Sequence, residues 1–309
     1  MTGIPKSVLT TCVDEAIAAS AAGSEFVIYN GPCEELMREI PSKSVDLFVT
    51  SPPYFMGKEY DRSYELDDFY EDIRNISGDT VRIVKEGGNF CWQVGNHVGK
   101  ASILPLDFAI YEVFREQTEI ALRNRIIWHF GHGTHAKKRF SGRHETIMWY
   151  GKGSDSYFDL DAVRVPQKYP GKRHYKGPNK GEFSGHPQGK NPSDVWEIPN
   201  VKANHCEKTA HPCQFPVALA QRLVRALARA DGLVFDPFSG SGSSGIAAAL
   251  EGRRYLGSDT SAEYCHIALD RFEALRSGKL AIRPLDRDIY QPSERAAVAQ
   301  RPDHFAFQE

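Results

Sequence analysis

The sequence is poor in several features that would assign it quickly. No apolar run reaches the ~18 residues of a membrane span, and no basic segment leads into an apolar one at the amino terminus. The chain therefore reads as soluble and cytoplasmic. Its six cysteines, at positions 12, 33, 91, 206, 213 and 265, lie scattered and offer no disulfide framework. Net charge is almost absent, with 38 Lys and Arg against 40 Asp and Glu. That excludes a uniformly basic surface. It leaves room for a local one: between Arg164 and Lys190 there are seven cations and the single acid Glu182. Such segregation is the footprint that phosphate contacts require.

With 309 residues, 41% of them apolar, the chain can bury one large core. Seven short apolar runs read as strands, at 26–30, 45–51, 88–95, 125–130, 145–151, 233–238 and 253–259. Helical patterns lie between them, as at 66–85 and 215–230. This alternation predicts an α/β fold of the Rossmann-like kind, with a mostly parallel sheet of about seven strands. The runs at 125–130 and 145–151 are joined without a helix, which predicts one antiparallel strand. Residues 155–205 lose apolar periodicity and fill with Gly, Pro, Lys and Asn, so they read as an inserted, loop-rich lobe. "SDVWEIP" (193–199) supplies anchors there that disordered chains lack. The resulting division is 1–154, the insertion 155–205, 206–280, and a polar tail at 281–309.

Two strand exits carry chemistry. "VDLFVTSPPY" (45–54) is a buried-strand pattern stopped by Pro52 and Pro53, which cannot donate ladder hydrogen bonds. "LVFDPFSGSGSSG" (233–245) runs from a strand through Gly240, Gly242 and Gly245 into a helix, with Asp259 ending the next strand. The glycine spacing alone suits a dinucleotide. The loop nevertheless opens with Asp236, which an anionic pyrophosphate disfavours and a cationic cofactor favours.

Strand-"DPFSGSG" followed by strand-"GSD" resembles the S-adenosylmethionine site of class I methyltransferases, and "TSPPY" (50–54) resembles the catalytic motif of DNA amino-methyltransferases. The catalytic motif lies upstream of the cofactor loop, as in the permuted β class of that family. "EKTAHPCQFP" (207–216), "RIVKEGGNF" (82–90) and "RFSGRHETIMWYGKG" (139–153) extend the resemblance over about residues 26–272. One departure is "YNGPCEEL" (29–36), where Pro32 stands in place of the family's frequent acid.

The resemblance implies an S-adenosylmethionine-dependent, site-specific DNA methyltransferase acting on a flipped-out base. An aromatic exocyclic amine is a weak nucleophile, so it must be held close to the methyl donor. Ser51 Oγ and the Pro52 carbonyl can accept its protons, Pro53 stiffens the turn, and Tyr54 offers a stacking face. Asp236, Pro237, Phe238, Gly240 and Gly242 are expected along the methionine end of the cofactor, with Thr50 beside them. Asp259 is expected at the ribose hydroxyls, and Lys208, His211 and Pro212 are expected to close the methionine pocket. In the family Ser-Pro-Pro-Tyr goes mostly with N4 of cytosine, so N4-cytosine is expected and N6-adenine is the alternative.

Duplex DNA is the expected partner, contacted by Lys137, Lys138, Arg139 and Arg143 on one loop. Lys172, Arg173, Lys176 and Lys180 would contact it from the insertion. A cognate restriction endonuclease and a monomeric or homodimeric state are expected, and no metal. The clusters His129, His132, His135 and His205, Cys206, His211, Cys213 lack zinc-finger spacing. C5-cytosine chemistry would need a Pro-Cys nucleophile. "GPC" (31–33) and "HPC" (211–213) supply the dipeptide, but neither follows the strand that should end at the base. An NAD-linked oxidoreductase, a silent DNA-binding protein and an RNA substrate remain as rivals.

Overall fold

The computed structural model describes residues 5–53, 66–99, 102–131, 133, 135–289, 293 and 300. The chain begins with β1 (Ser7–Thr10), α1 (Val13–Ala22), β2 (Phe26–Asn30), α2 (Cys33–Glu39) and β3 (Val45–Thr50). It continues with α3 (Leu66–Ile83), β4 (Val84–Val94), β5 (Asn96–Val98), β6 (Ile103–Pro105), α4 (Leu106–Phe114), β7 (Ile120–His129) and β8 (His144–Lys152). After β9 (Val195–Glu197) come α5 (Val217–Leu227), β10 (Leu233–Asp236), α6 (Ser243–Leu250), β11 (Arg254–Asp259) and α7 (Ala262–Arg276).

Nine strands form one sheet in the order β1-β2-β11-β10-β3-β4-β8-β7-β9, and β5 with β6 makes a separate hairpin. Within the large sheet β8 alone runs antiparallel, to both β4 and β7. The predicted α/β architecture and its one reversed strand are therefore present. Among the described residues this sheet has nine strands rather than about seven. The extra strands, β1 and β9, are four and three residues long, too short for an apolar alternation to show. β1 is recruited by pairing with β2, and β9 by pairing with β7.

Central strands are buried on both faces, which is why β3 reads as an unbroken run rather than an alternating one. One face packs against α1 to α4 through Ala16, Leu36, Ile73 and Ile110. The other packs against α5 to α7 through Val224, Ile246, Ala268 and Phe272. The result is a three-layer sandwich with the sheet in the middle. Among the described residues no helix is long and apolar enough to cross a membrane.

The site is positioned by connectivity. β3 and β10 are neighbours, but β3 leads through α3 to β4 on one side while β10 leads through α6 to β11 on the other. Their outgoing connections diverge. A crevice must open between them at the carboxyl ends of the strands, where doubly wound sheets bind ligands.

Candidate active site

That crevice is a cavity of about 480 Å³, within the usual size of small-molecule sites. Ser51, Pro52 and Pro53 line it from the end of β3, and Pro237, Phe238, Ser239 and Gly240 from the end of β10. Two segments almost two hundred residues apart in sequence thus share one wall. Asp259, at the end of β11, lines it as well.

The glycine loop is built around backbone donors. Gly240 and Gly242 have φ of 51° and 73°, a region side chains rarely tolerate. The Gly240 N–H donates to Asp259 Oδ2 at 2.8 Å, and the Ser261 N–H to Oδ1 at 2.9 Å. Burial pushes the Asp259 carboxyl upward, and these two donors oppose the shift. Each carboxylate oxygen retains a lone pair for a hydroxyl donor. A Cβ on Gly240 would come 3.0 Å from His211 Nε2, so the imidazole rests on the glycine. Gly242 serves packing instead. It precedes α6 and lies off the cavity wall, and a Cβ there would meet the Ala268 Cβ at 2.7 Å.

Asp236 is placed differently from expectation. It is fully buried and lies behind the wall. Its Oδ1 accepts from Thr50 Oγ1 at 2.6 Å and from the Phe238 N–H at 3.0 Å, while Oδ2 accepts from Ser244 Oγ at 2.5 Å. Burial pushes its carboxyl up to about 6, against the pull of these donors. Neither Asp236 nor Thr50 stands on the cavity wall, where the expectation put them; both side chains turn inward and tie the two strand exits together.

From the 207–216 segment only part of the expected set reaches the cavity. His211 lines it, stacked edge-on against Tyr264 with ring centroids 4.4 Å apart. Burial, with Lys208 and Arg271 nearby, pushes His211 down to about 4, so the ring is neutral near pH 7. Lys208 and Pro212 are exposed and off the wall. The Lys208 ammonium donates to the His211 carbonyl and shapes the turn instead. Cys213, Gln214 and Phe215 stand on the wall in their place. Glu34 and Tyr264 also line the cavity. Sequence reasoning missed both; Glu34 follows the Pro32 departure by two residues and was the available signal. The Glu207 carboxylate accepts from the Val217 and Arg283 N–H groups. It is thus committed to backbone even though His205 and Cys206 lie near it.

Tyr54 and His132 lie outside the described residues. The β7–β8 loop leaves from the same sheet edge as Ser51, since β7 runs parallel to β3. It exposes Lys137, Lys138 and Arg139, while Arg143 is half-buried. Phe140 between them is 100% exposed. Lys172, Arg173, Lys176 and Lys180 are exposed on a small hairpin closed by the Arg173–Phe183 bridge, with the Arg173 guanidinium 4.0 Å from the Phe183 ring centroid.

Residues 45–270 match the DNA methylase family of N6 and N4 methyltransferases, and the chain belongs to that family. The type II methyltransferase M.BglII of Bacillus subtilis is 43% identical over 242 residues, covering 78% of this chain and 67% of its own. The DNA adenine methyltransferase YhdJ of Escherichia coli is 28% identical over 80% of this chain and 82% of its own. In solved structures, the PvuII cytosine-N4-specific DNA methyltransferase superposes with a TM-score of 0.64 at 22% identity, over 79% and 85% of the two chains. TTHA0409, a putative DNA modification methylase of Thermus thermophilus solved with S-adenosyl-L-methionine, gives 0.59 at 25%, over 85% and 99%. S-adenosylmethionine is thus the cofactor and DNA the substrate class.

Proposed function

We propose that this protein transfers the methyl group of S-adenosylmethionine to N4 of a cytosine flipped out of duplex DNA. The single observation that supports it most is the shared cavity: the Ser51-Pro52-Pro53 turn and the Gly240–Asp259 loop face one space. S-adenosylmethionine supplies an electrophilic methyl group when bound. Phe238, Gly240 and His211 would hold its amino-acid end and Asp259 its ribose hydroxyls, a cradle that the bare Gly240 leaves open.

In this reading Ser51 Oγ and the Pro52 carbonyl accept the two amine hydrogens, which orients the nitrogen lone pair. The lone pair forms the new N–C bond as the S–C bond breaks, and the amine proton passes to solvent. Holding the pair in this geometry replaces a bimolecular encounter by a positioned one. Tyr54 is assigned to stacking on the base. Cations of the β7–β8 loop and of the 155–205 insertion bind the phosphates, and the insertion reads the sequence. Residues 1–154 then carry the base site and 206–280 the cofactor site, and the enzyme acts as monomer or homodimer beside a cognate nuclease.

N6 of adenine is the second reading, favoured by the adenine specificity of the E. coli relative. The choice of N4 rests on serine at position 51. Mass spectrometry of nucleosides from treated, unmethylated DNA tests it. N4-methylcytosine is the expected product, and N6-methyladenine would replace the first reading with the second.

A further inference from the structure

Gln93 lies near the end of β4 and Glu145 at the start of β8. Gln93 Nε2 donates to Glu145 Oε2 at 2.5 Å, and among the described residues neither side chain has another hydrogen-bond partner. Burial pushes the Glu145 carboxyl up to about 7, with the Gln93 donor opposing the shift. Glu145 is half-buried, so its second carboxyl oxygen can meet a ligand as well as water.

Register places this pair. Thr50 pairs with Trp92, so Ser51 follows level with Gln93. Gln93 pairs with Ile147, and Glu145 lies two residues farther toward the open edge because β8 is antiparallel. Side chains alternate along strands. Leu47 and Val49 on β3, Cys91 on β4 and Ile147 on β8 share one face. By alternation Gln93 and Glu145 fall on that same face, and Ser51, one residue past the end of β3, leaves the sheet at the level of Gln93. Two strand spacings and two residues separate Ser51 from Glu145, roughly 12 Å between backbones. A nucleobase edge with two flanking side chains spans that distance.

We propose that the Gln93–Glu145 pair grips the Watson–Crick edge of the extruded base beside Ser51. The Glu145 acid O–H donates to the ring nitrogen next to the target amine, while the Gln93 amide holds the Glu145 carboxyl in place through its own hydrogen bond. An amine adjacent to an unprotonated ring nitrogen is common to cytosine (N4, N3) and adenine (N6, N1). The grip therefore deepens the proposed function, on which it rests, whichever base is used. It excludes thymine and guanine, whose corresponding ring nitrogen carries a proton. The excluded bases would set donor against donor, the kind of mismatch that discriminates strongly in a buried site.

Methyl transfer from radiolabelled cofactor to unmethylated DNA, measured beside cofactor affinity by calorimetry, tests the grip. Glu145→Leu should lower kcat by at least about tenfold with the cofactor Kd within twofold. Glu145→Gln keeps an N–H donor and should stay within about threefold of wild type. A wild-type kcat in Glu145→Leu overturns the inference, as does a Glu145→Gln protein as slow as the leucine variant. If Glu145→Leu fails to fold, Gln93→Leu should show the same selective loss of kcat, and full turnover there also overturns it. A wild-type protein inactive on every DNA would overturn the proposed function itself.

Discussion

Thr50 Oγ1 donates to Asp236 Oδ1 at 2.6 Å across 186 residues of sequence, and both side chains are buried. This bond ties the exit of β3, which carries Ser51, to the exit of β10, which opens the glycine loop. Asp236→Ala leaves the Thr50 and Ser244 hydroxyls and the Phe238 N–H without their acceptor, a loss of about 3 kcal/mol of stability. Asp236→Asn keeps an acceptor and should lose less than half as much. Urea denaturation checks the order; equal losses would mean that the carboxylate charge matters more than the bonds.

Ser51 lines the cavity without taking part in that bond. Ser51→Ala should lower kcat by about a hundredfold, the scale of losing one positioned hydrogen-bonding group in an active site. Cofactor affinity by calorimetry should hold within twofold. Unchanged turnover would place the amine elsewhere.

Gly240 and His211 touch on the cavity wall, at the end assigned above to the cofactor's amino-acid moiety. Gly240→Ala must accept a φ of 51° and push the imidazole 3.0 Å from its Cβ, so cofactor affinity should fall by about tenfold or more.

The pH dependence follows from His211, pushed down to about 4 from 6.5. Between those values the unfolded chain binds more protons, so stability falls as the pH drops from 6.5 toward 4. Asp236, pushed up to about 6, acts in the opposite sense. Thermal melts of His211→Asn against wild type therefore isolate the histidine: the variant should lose less stability on acidification.

The exposed loop gives a salt signature. Replacing Lys137, Lys138 and Arg139 by glutamine should reduce the slope of log affinity against log salt by about 0.9 for each phosphate contact removed. Phe140, fully exposed among these cations, has no packing role to lose. Phe140→Ala should leave the melting temperature unchanged and weaken base extrusion, read from the fluorescence of 2-aminopurine in the duplex. A lowered melting temperature would assign the ring to the fold.

The long elements were legible because their signals are local. β3 and β10 are apolar runs ended by proline, and the β7–β8 hairpin lacks an intervening helix. β1 and β9 were not, since four and three residues hold too little pattern and are recruited by a neighbouring strand edge. On the cavity wall, Ser51, Phe238, Gly240, His211 and Asp259 are positions that the motifs had marked. Glu34, Gln214 and Tyr264 were not, for they reach the cavity from other elements.

The order of apolar runs and turns determined by itself that the chain forms a doubly wound sheet with two chemically marked strand exits. Backbone stereochemistry and burial act over a few residues, and a sequence displays them directly. Only the tertiary structure decided that Asp236 faces inward while Asp259 faces the cavity, and that Gln93 and Glu145 meet. Side-chain direction at a strand end depends on which partners the neighbouring strands present, and those partners lie tens to hundreds of residues away.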